Sequence, residues 1–522
     1  MLENFRQNKY RFLFLAIMLL GVISRGVLFW KIPGGINNDE AFGAYEAYAL
    51  LNFGTDSAGY HFPVYLETWG SGMSALNSYL MLPFMAVIGK KILAVRLPSF
   101  ITACASLFAA HSLIKRMINE RAALIVLLML AISPYHYMIS RWSMDCNLAP
   151  GLLLIGFYFF IRGAEESKFY IISAVFYGLS LYAYITVLPY VPVLILIMLI
   201  YLAVTRKLKI DKYGIIAALV LFVTALPLML FMAVNYGVIK PVNTAFISIP
   251  ALSAMRGAEV SFEAPLWNLK KTIMLLVTQS DGVYSNAADK YGMYYKLIPI
   301  FSVAGIIYCA VKLIKSIIKR EYDAAAMLLF PFGVSLLQGS IIINVNINRI
   351  NSIHIPMIIF IGLGIYLFLN YVNQYFKYAY ALGGAVLLFV FALFLRFYFT
   401  EYRINIANIN NEGLEEAIEY AEELYLSEKT APGTRIYTTR YAANYSKLLF
   451  YTGMPPAEYL ATKVYQEDGQ VKTLGHYEYV DDTEGIYGDI CITYAENEEK
   501  CREMGYTTKV FDTVLVAYRQ NA

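Results

Sequence analysis

Residues 31–51 read KIPGGINNDEAFGAYEAYALL, and the acidic pair Asp39–Glu40 inside this stretch decides how the rest is read. The pair follows directly on a run of roughly twenty mostly apolar residues, long enough to cross a bilayer core of about 30 Å. Apolar runs of that length recur along the chain. Of its 522 residues, 58% are hydrophobic and 15% charged, against about half and a quarter in soluble domains. The composition describes an all-α polytopic membrane protein. The opening MLENFRQNKYR is basic. The apolar run behind it is too long for a signal-peptide core and lacks a small-residue cleavage site, so it is expected to remain as a first helix.

Charge is distributed unevenly. From residue 400 onward there are 21 acidic and 11 basic residues; before it there are 17 and 31. The tail therefore reads as an acidic soluble domain on a basic membrane part. Basic residues come in short clusters between apolar runs, which excludes a nucleic-acid patch. Of the five cysteines, Cys104 and Cys309 fall inside apolar runs as small core residues. None has metal-ligand spacing. Cys491 and Cys501 are suited to a disulfide only if the tail is extracytoplasmic, and spacing leaves that open.

Basic residues near the ends of spans favour the cytoplasm. With RQNKYR inside, the spans are expected near 12–31, 95–114, 122–139, 148–161, 169–187, 189–204, 213–233, 296–314, 324–343, 353–370 and 378–397. The external segments are then 32–94 and 234–294, and the tail also lies outside. The half-apolar SGMSALNSYLMLPFMAVIGKK is placed along the membrane surface, because a further crossing there would move every later basic cluster to the wrong side. On this map KRMINER, TRKLKIDK and KSIIKREYD share one side, while Asp39, Glu40, Asp145 and Arg349 share the other. The expected division is a membrane catalytic domain over 1–399 and a small α/β extracytoplasmic domain over 400–522. In the tail, NEGLEEAIEYAEELYL has helical spacing, and TRIYTTR, GDICITYA and TVLVAYR read as short strands.

A charge at a bilayer centre costs at least about 2.5–3.5 kcal/mol, and much less at a face. Asp39 and Glu40 stand at the face, so a solvated loop explains them as well as function does. What favours function is convergence of separate loops on one side: Asp39 and Glu40 from the first, Arg141 and Asp145 from SRWSMDCN. A carboxylate there can take a proton from an attacking hydroxyl, and a cation can hold a phosphate leaving group. Arg349 lies in NVNINRINSIHIP with four asparagines and His354. Its guanidinium suits a bidentate grip on phosphate, while His354 suits local hydrogen bonding. His61, in GYHFPVYLETWGSG, reads first as structural, with Glu67 and Trp69 nearby. Arg25 falls inside the first span and either snorkels outward or pairs with an acid. The tyrosine-rich TQSDGVYSNAADKYGMYY, with Asp281, Asn286 and Asp289, suits a closing loop or an interfacial belt equally.

The stretches INNDEAFGAYEAYALLNFG and KKILAVRLPSF resemble the GT-C glycosyltransferases, in particular the protein O-mannosyltransferases and the aminoarabinose transferase of lipid A. Ala94, Arg96, Leu97, Pro98 and Ser99 stand where that family has an A-x-RLPS motif, and Ser140, Arg141 and Asp145 match its Ser-Arg, three residues, Asp pattern. The resemblance covers roughly residues 12–160, weakens through the middle spans and does not reach the tail. It implies a polyprenyl-phosphate sugar donor and inverting transfer to an extracytoplasmic hydroxyl of a glycan, lipid or protein. Asp39 would be the general base, Glu40 would support it or shape the acceptor site, and Asp145 would orient the acceptor or a positive partner. Arg141, Arg349, His61, Glu67 and His354 would contact substrate, and Arg96 would position the loop. The lysine that the aminoarabinose transferase places beside Glu67 is missing here. A divalent metal is used by oligosaccharyltransferases of the same class and not by the mannosyltransferases; with oxygen ligands from only Asp39, Glu40 and Asp145 in view, none is expected. The competing reading is a transporter or flippase of lipid-linked sugars or polymers, which would place ionisable residues or broken helices near mid-membrane. A scaffold with an incidental acidic loop is the third.

Overall fold

The computed structural model describes residues 2–68, 71–253, 260–427, 434–466, 469–480 and 485–519, with side chains from residue 8 onward. Its contacts divide it into two compact units. The first is Met1–Val27, Pro98–Leu230 and Arg256–Tyr398; the second is Leu28–Leu97, Phe231–Met255 and Phe399–Ala522.

Before the tail run helices α1 (Leu2–Gly26), α2 (Asn38–Phe53), α3 (Leu76–Ile88), α4 (Ile92–Met117), α5 (Glu120–Ile132), α6 (Pro134–Ile139), α7 (Leu148–Gly163) and α8 (Phe169–Leu181). They continue with α9 (Val187–Val204), α10 (Lys212–Asn235), α11 (Pro265–Thr278), α12 (Ile300–Lys319), α13 (Leu329–Ile341), α14 (His354–Val372) and α15 (Ala379–Phe397). Among the described residues, eight helical segments are long and apolar enough to cross a bilayer. This is a multi-span membrane protein. Their apolar surface faces outward: on α10, Ile215, Leu219, Phe222, Val223 and Met229 are all exposed, which is tolerable only in lipid. Inside the first unit, small residues bring helices together. A Cβ on Gly364 would overlap the carbonyl of Phe301, and one on Gly305 that of Phe360, so α12 and α14 approach backbone to backbone.

A helix lies within each expected segment, but α8 ends at Leu181, short of the expected 187, and three further differences stand out. The span expected at 122–139 is interrupted at Ser133–Pro134, where proline cannot donate to the preceding turn. The loop expected over 234–294 contains α11, whose apolar run TIMLLV is too short for a span but sufficient to cover α13. The first helix stops at Gly26, ahead of the expected end at 31.

In the second unit the stretch SGMSALNSYLMLPFMAVIGKK forms α3, a 13-residue apolar helix. Small antiparallel pairs join β1 (Tyr65–Leu66) to β2 (Met73–Ser74) and β3 (Val242–Asn243) to β4 (Ser248–Ile249). The tail supplies α16 (Arg403–Asn410), α17 (Leu414–Leu426), α18 (Tyr445–Thr452), α19 (Pro456–Thr462) and α20 (Glu498–Glu503). Its strands are β5 (Ile436–Thr438), β6 (Val464–Tyr465), β7 (Val471–Leu474), β8 (Tyr477–Tyr479), β9 (Ile490–Tyr494), β10 (Thr507–Phe511) and β11 (Val514–Tyr518). They form a mixed sheet in the order β10-β11-β9-β5-β8-β7-β6, with β5 parallel to both its neighbours. Cys491 and Cys501 are buried beside Leu515 and Ala517, with their thiols unlinked.

One apolar core runs through the tail and the first loop. Ile36, Ala41, Ala44, Tyr45 and Met81 share it with Ile418, Leu448, Phe450, Ile490 and Val516. Tyr45 also donates from its hydroxyl to the Met454 carbonyl at 2.7 Å. The tail thus packs as one unit with the NNDE loop rather than as a separate appendage.

Candidate active site

In the second unit the NNDE stretch opens α2. Asn37 is the N-cap: its Oδ1 accepts from the Asp39 amide at 2.9 Å, and its own amide donates to Glu40 Oε2 at 3.2 Å. That reciprocal capping box puts Asp39 and Glu40 in the first turn, where the helix dipole favours anions. The two carboxylates then part company. Glu40 is fully buried, and Arg96 grips both of its oxygens, Nε to Oε1 at 2.9 Å and Nη2 to Oε2 at 3.1 Å. Arg96 also donates to the carbonyls of Phe29, Pro33 and Gly35 at 2.9–3.0 Å. It is the peg on which the loop hangs, the role expected of it. Asp39 beside it is half-buried.

The tail fastens the same loop from its other side. Ser446 Oγ lies 3.0 Å from the Asn38 carbonyl, and Asn410 Nδ2 donates to the Gly34 carbonyl at 3.0 Å. Lys447 is buried at 2% exposure; its Nζ donates to the Asn410 carbonyl at 2.7 Å and Asn411 Oδ1 at 2.8 Å. Burial pushes its ammonium down to about 7, with the charge of Glu40 pulling the other way. No local pattern in the sequence marks Ser446 or Lys447.

Also in this unit, His61 Nδ1 meets the Gly54 carbonyl at 2.9 Å, a local structural contact. Glu67 is half-buried and acts electrostatically on Asp56. Trp69 lies outside the described residues.

In the first unit, Asp145 starts a 3-10 turn leading into α7; it is 7% exposed and its Oδ1 accepts from the Cys146 amide at 2.8 Å. Asn351 Nδ2 ties the 343–353 turn to this one through the Cys146 carbonyl at 2.8 Å. Arg141 is fully buried. It donates to the carbonyls of Arg25 and Val27 at 2.7 and 2.8 Å and lies over the rings of Tyr137 and Tyr398. In this geometry it closes the end of α1 rather than presenting a free fork to phosphate. Arg349, half-buried, donates to the carbonyls of Ile343 and Asn344. His354 is buried with both nitrogens engaged, by Tyr294 Oη at 2.5 Å and the Ile347 carbonyl at 3.0 Å, and so braces the turn. Asp281 likewise orders its own loop, accepting from Asn286 Nδ2 and the Ile347 amide.

Residues 75–231 match the family described as dolichyl-phosphate-mannose-protein mannosyltransferase. The match includes Arg96, Arg141 and Asp145 but starts after Asp39. No curated protein matches the chain in sequence. Among solved structures, ArnT from Cupriavidus metallidurans in the apo state aligns at 12% identity, covering 98% of both chains with a TM-score of 0.57. The same protein bound to undecaprenyl phosphate aligns at 12% identity and 98% of each chain, with a TM-score of 0.55. The apo oligosaccharyltransferase of Archaeoglobus fulgidus aligns at 13% identity over 87% of this chain and 65% of its own, at 0.51.

The chain has the GT-C glycosyltransferase fold.

The chain carries a small apolar cavity of about 30 Å³ in its first unit, lined by Leu153, Leu154, Phe157, Leu194, Ile355 and Ile359 among others. Ser352 lines it too, and belongs to a buried hydrogen-bonded chain with Ser335 and Gln338. Among the described residues, no group of three or more His, Cys, Asp or Glu side chains is arranged to hold a metal ion.

Proposed function

We propose that this protein is an integral membrane glycosyltransferase that moves a sugar from a polyprenyl-phosphate donor to a hydroxyl acceptor on the extracytoplasmic side, with inversion. Asp39 takes the proton of the acceptor hydroxyl. The hydroxyl oxygen bonds to the anomeric carbon as the carbon–oxygen bond to phosphate breaks from the opposite face. The lipid phosphate leaves with the bonding electron pair, so no nucleotide is needed. The observation that carries this reading is the unequal treatment of the acidic pair. Arg96 holds Glu40 through both oxygens, and Asp39 is half-buried on the same rigid, capped turn. That is what a general base needs: fixed geometry and access. The likeness to the ArnT fold, one of whose structures holds undecaprenyl phosphate, supports a lipid-linked donor. Asp145 is read as orienting the acceptor or a positive partner.

A transporter would use the break at Ser133 as part of its path. Here Arg25 bonds the carbonyls of Leu130 and Ala131, and Tyr295 that of Ile132, so the freed carbonyls are spent on structure.

The test is to offer the purified full-length protein several polyprenyl-phosphate sugars with mixed acceptors and identify products by mass spectrometry. Asp39→Asn should lower transfer by about 10²–10⁴-fold with donor binding and thermal stability retained. An Asp39→Asn variant with normal turnover would sink the assignment. Chelation of divalent ions is expected to leave the rate unchanged, since no metal enters the step.

A further inference from the structure

The two fastenings of the NNDE loop come from opposite ends of the chain. Arg96 holds Glu40 and three loop carbonyls. Facing it, the turn Asn410–Asn411 is pressed against the loop: Gly35 has φ of +66°, and a Cβ there would stand 2.8 Å from both the Asn410 Cβ and its carbonyl oxygen. Lys447 holds that turn through both Asn410 and Asn411, and its neighbour Ser446 reaches the Asn38 carbonyl, one residue before Asp39. An ammonium is seldom buried without a reason, because burial disfavours its charge. Glu40 is the charged group whose field acts on it, with Arg96 beside Glu40; α16 and its following turn contribute the Asn410 and Asn411 oxygens to Lys447 and also carry Arg403 and Glu412. Glu415 and Glu416, on α17, act on neighbouring Tyr451.

We infer that Lys447, from the carboxy-terminal part of the chain, is a positioning residue for Asp39. It clamps the Asn410–Asn411 turn beneath the Gly34–Glu40 loop and supplies the cation that complements Glu40 from the side opposite Arg96. This rests on the reading of Asp39 as the base, and it makes the tail a working part of the catalytic loop. Because Lys447 loses its charge near neutrality, the clamp loosens as pH rises past about 7, and an arginine at 447 would keep it closed.

Two measurements on the full-length protein in liposomes separate this inference from the reading it rests on. The first is amide hydrogen exchange, which needs no donor. The amides of Asn37, Asp39 and Ala41 are all hydrogen-bonded within the loop. Lys447→Met should speed their exchange about tenfold or more while α7 exchanges as before; unchanged exchange overturns the inference whatever the activity. The second is the rate against pH, with dolichyl-phosphate mannose or undecaprenyl-phosphate aminoarabinose as the probe donor. Wild type should lose rate above neutral pH, and Lys447→Arg should carry that limb to higher pH with the donor KM unmoved. An identical limb in wild type and Lys447→Arg overturns it. If Lys447→Met does not fold, Ser446→Ala replaces it in the exchange measurement under the same two outcomes. If Asp39→Asn retains full turnover, the base assignment falls on its own and the exchange result still decides whether Lys447 clamps the loop.

Discussion

Arg25 and Arg96 are both fully buried arginines, and they are neutralised in different ways. In the first unit, Arg25 donates to the carbonyls of Gly21, Leu130 and Ala131 and contacts His136 Nδ1 at 2.9 Å; His136 Nε2 in turn meets Ser106 Oγ. Among the described residues no carboxylate pairs with it, so its charge is spread over helix-end dipoles. In the second unit, Arg96 faces Glu40 in a two-point ion pair and takes loop carbonyls with its remaining donors. The difference shows what each is for. Arg25 mends a broken helix, replacing partners that Ser133–Pro134 removed. Arg96 fixes one particular carboxylate, and with it the first turn of α2.

The sharpest way to break this contrast is Arg96→Met. It strands Glu40 as a buried unpaired anion and should cost about 3–5 kcal/mol of stability, with transfer lost as well. Pairing it with Glu40→Gln should recover a large part of the stability but not the transfer. Thermal unfolding of the purified protein in detergent reads both. Equal damage from the single and the double variant would mean that the ion pair is not the reason Arg96 matters. Arg25→Met should be milder, about 1–3 kcal/mol, since it leaves neutral carbonyls unsatisfied rather than a charge. A loss as large as that of Arg96→Met would erase the distinction.

The smallest effect concerns two acids that have what Glu40 has not, burial without a cation. Glu46 and Asp56 lie in the same unit at 0% and 1% exposure, with Glu46 Oε1 and Asp56 Oδ2 unpartnered. Burial pushes the Asp56 carboxyl up from 3.8 to about 7, and burial together with the charge of Asp56 raises Glu46. The folded chain thus holds a proton that the unfolded chain releases above about pH 4. Stability falls as pH rises from about 4 to about 7, and the penalty is complete above that. Asp56→Asn keeps the oxygen that accepts from the Ala58 and Tyr60 amides and removes the charge. Its unfolding midpoint should exceed that of wild type near pH 8 and match it near pH 4. The same midpoint as wild type at both would mean that Asp56 is charged in the fold at no cost.

What could be read in the chain beforehand follows the range of each signal. Apolar runs and basic clusters are local, and they located the helices; the Arg96 motif and the NNDE loop are local too, and they meet in the Arg96–Glu40 ion pair. α11 was missed because a run of five apolar residues in a polar loop carries no length signal. The break at Ser133 was masked by the apolar residues on either side, although Pro134 marked it. The placement of Arg141 and His354 was not legible, because residue type does not say whether a guanidinium or an imidazole meets a carbonyl or a ligand. Nor was the clamp from the tail, where Ser446 meets Asn38 across 408 positions without any periodicity to announce it.

The core shared by Ile36, Ala41 and Tyr45 with Leu448, Ile490 and Val516 has a consequence for biosynthesis. A ribosome delivers the first loop early, and the partner that completes its interior arrives only after every membrane crossing has been threaded. Until then the nascent protein can hold its helices in the bilayer yet has no finished chemistry at its surface. Premature termination within the tail would therefore yield a product that inserts and does nothing, its apolar loop surface left bare for quality-control proteases to find.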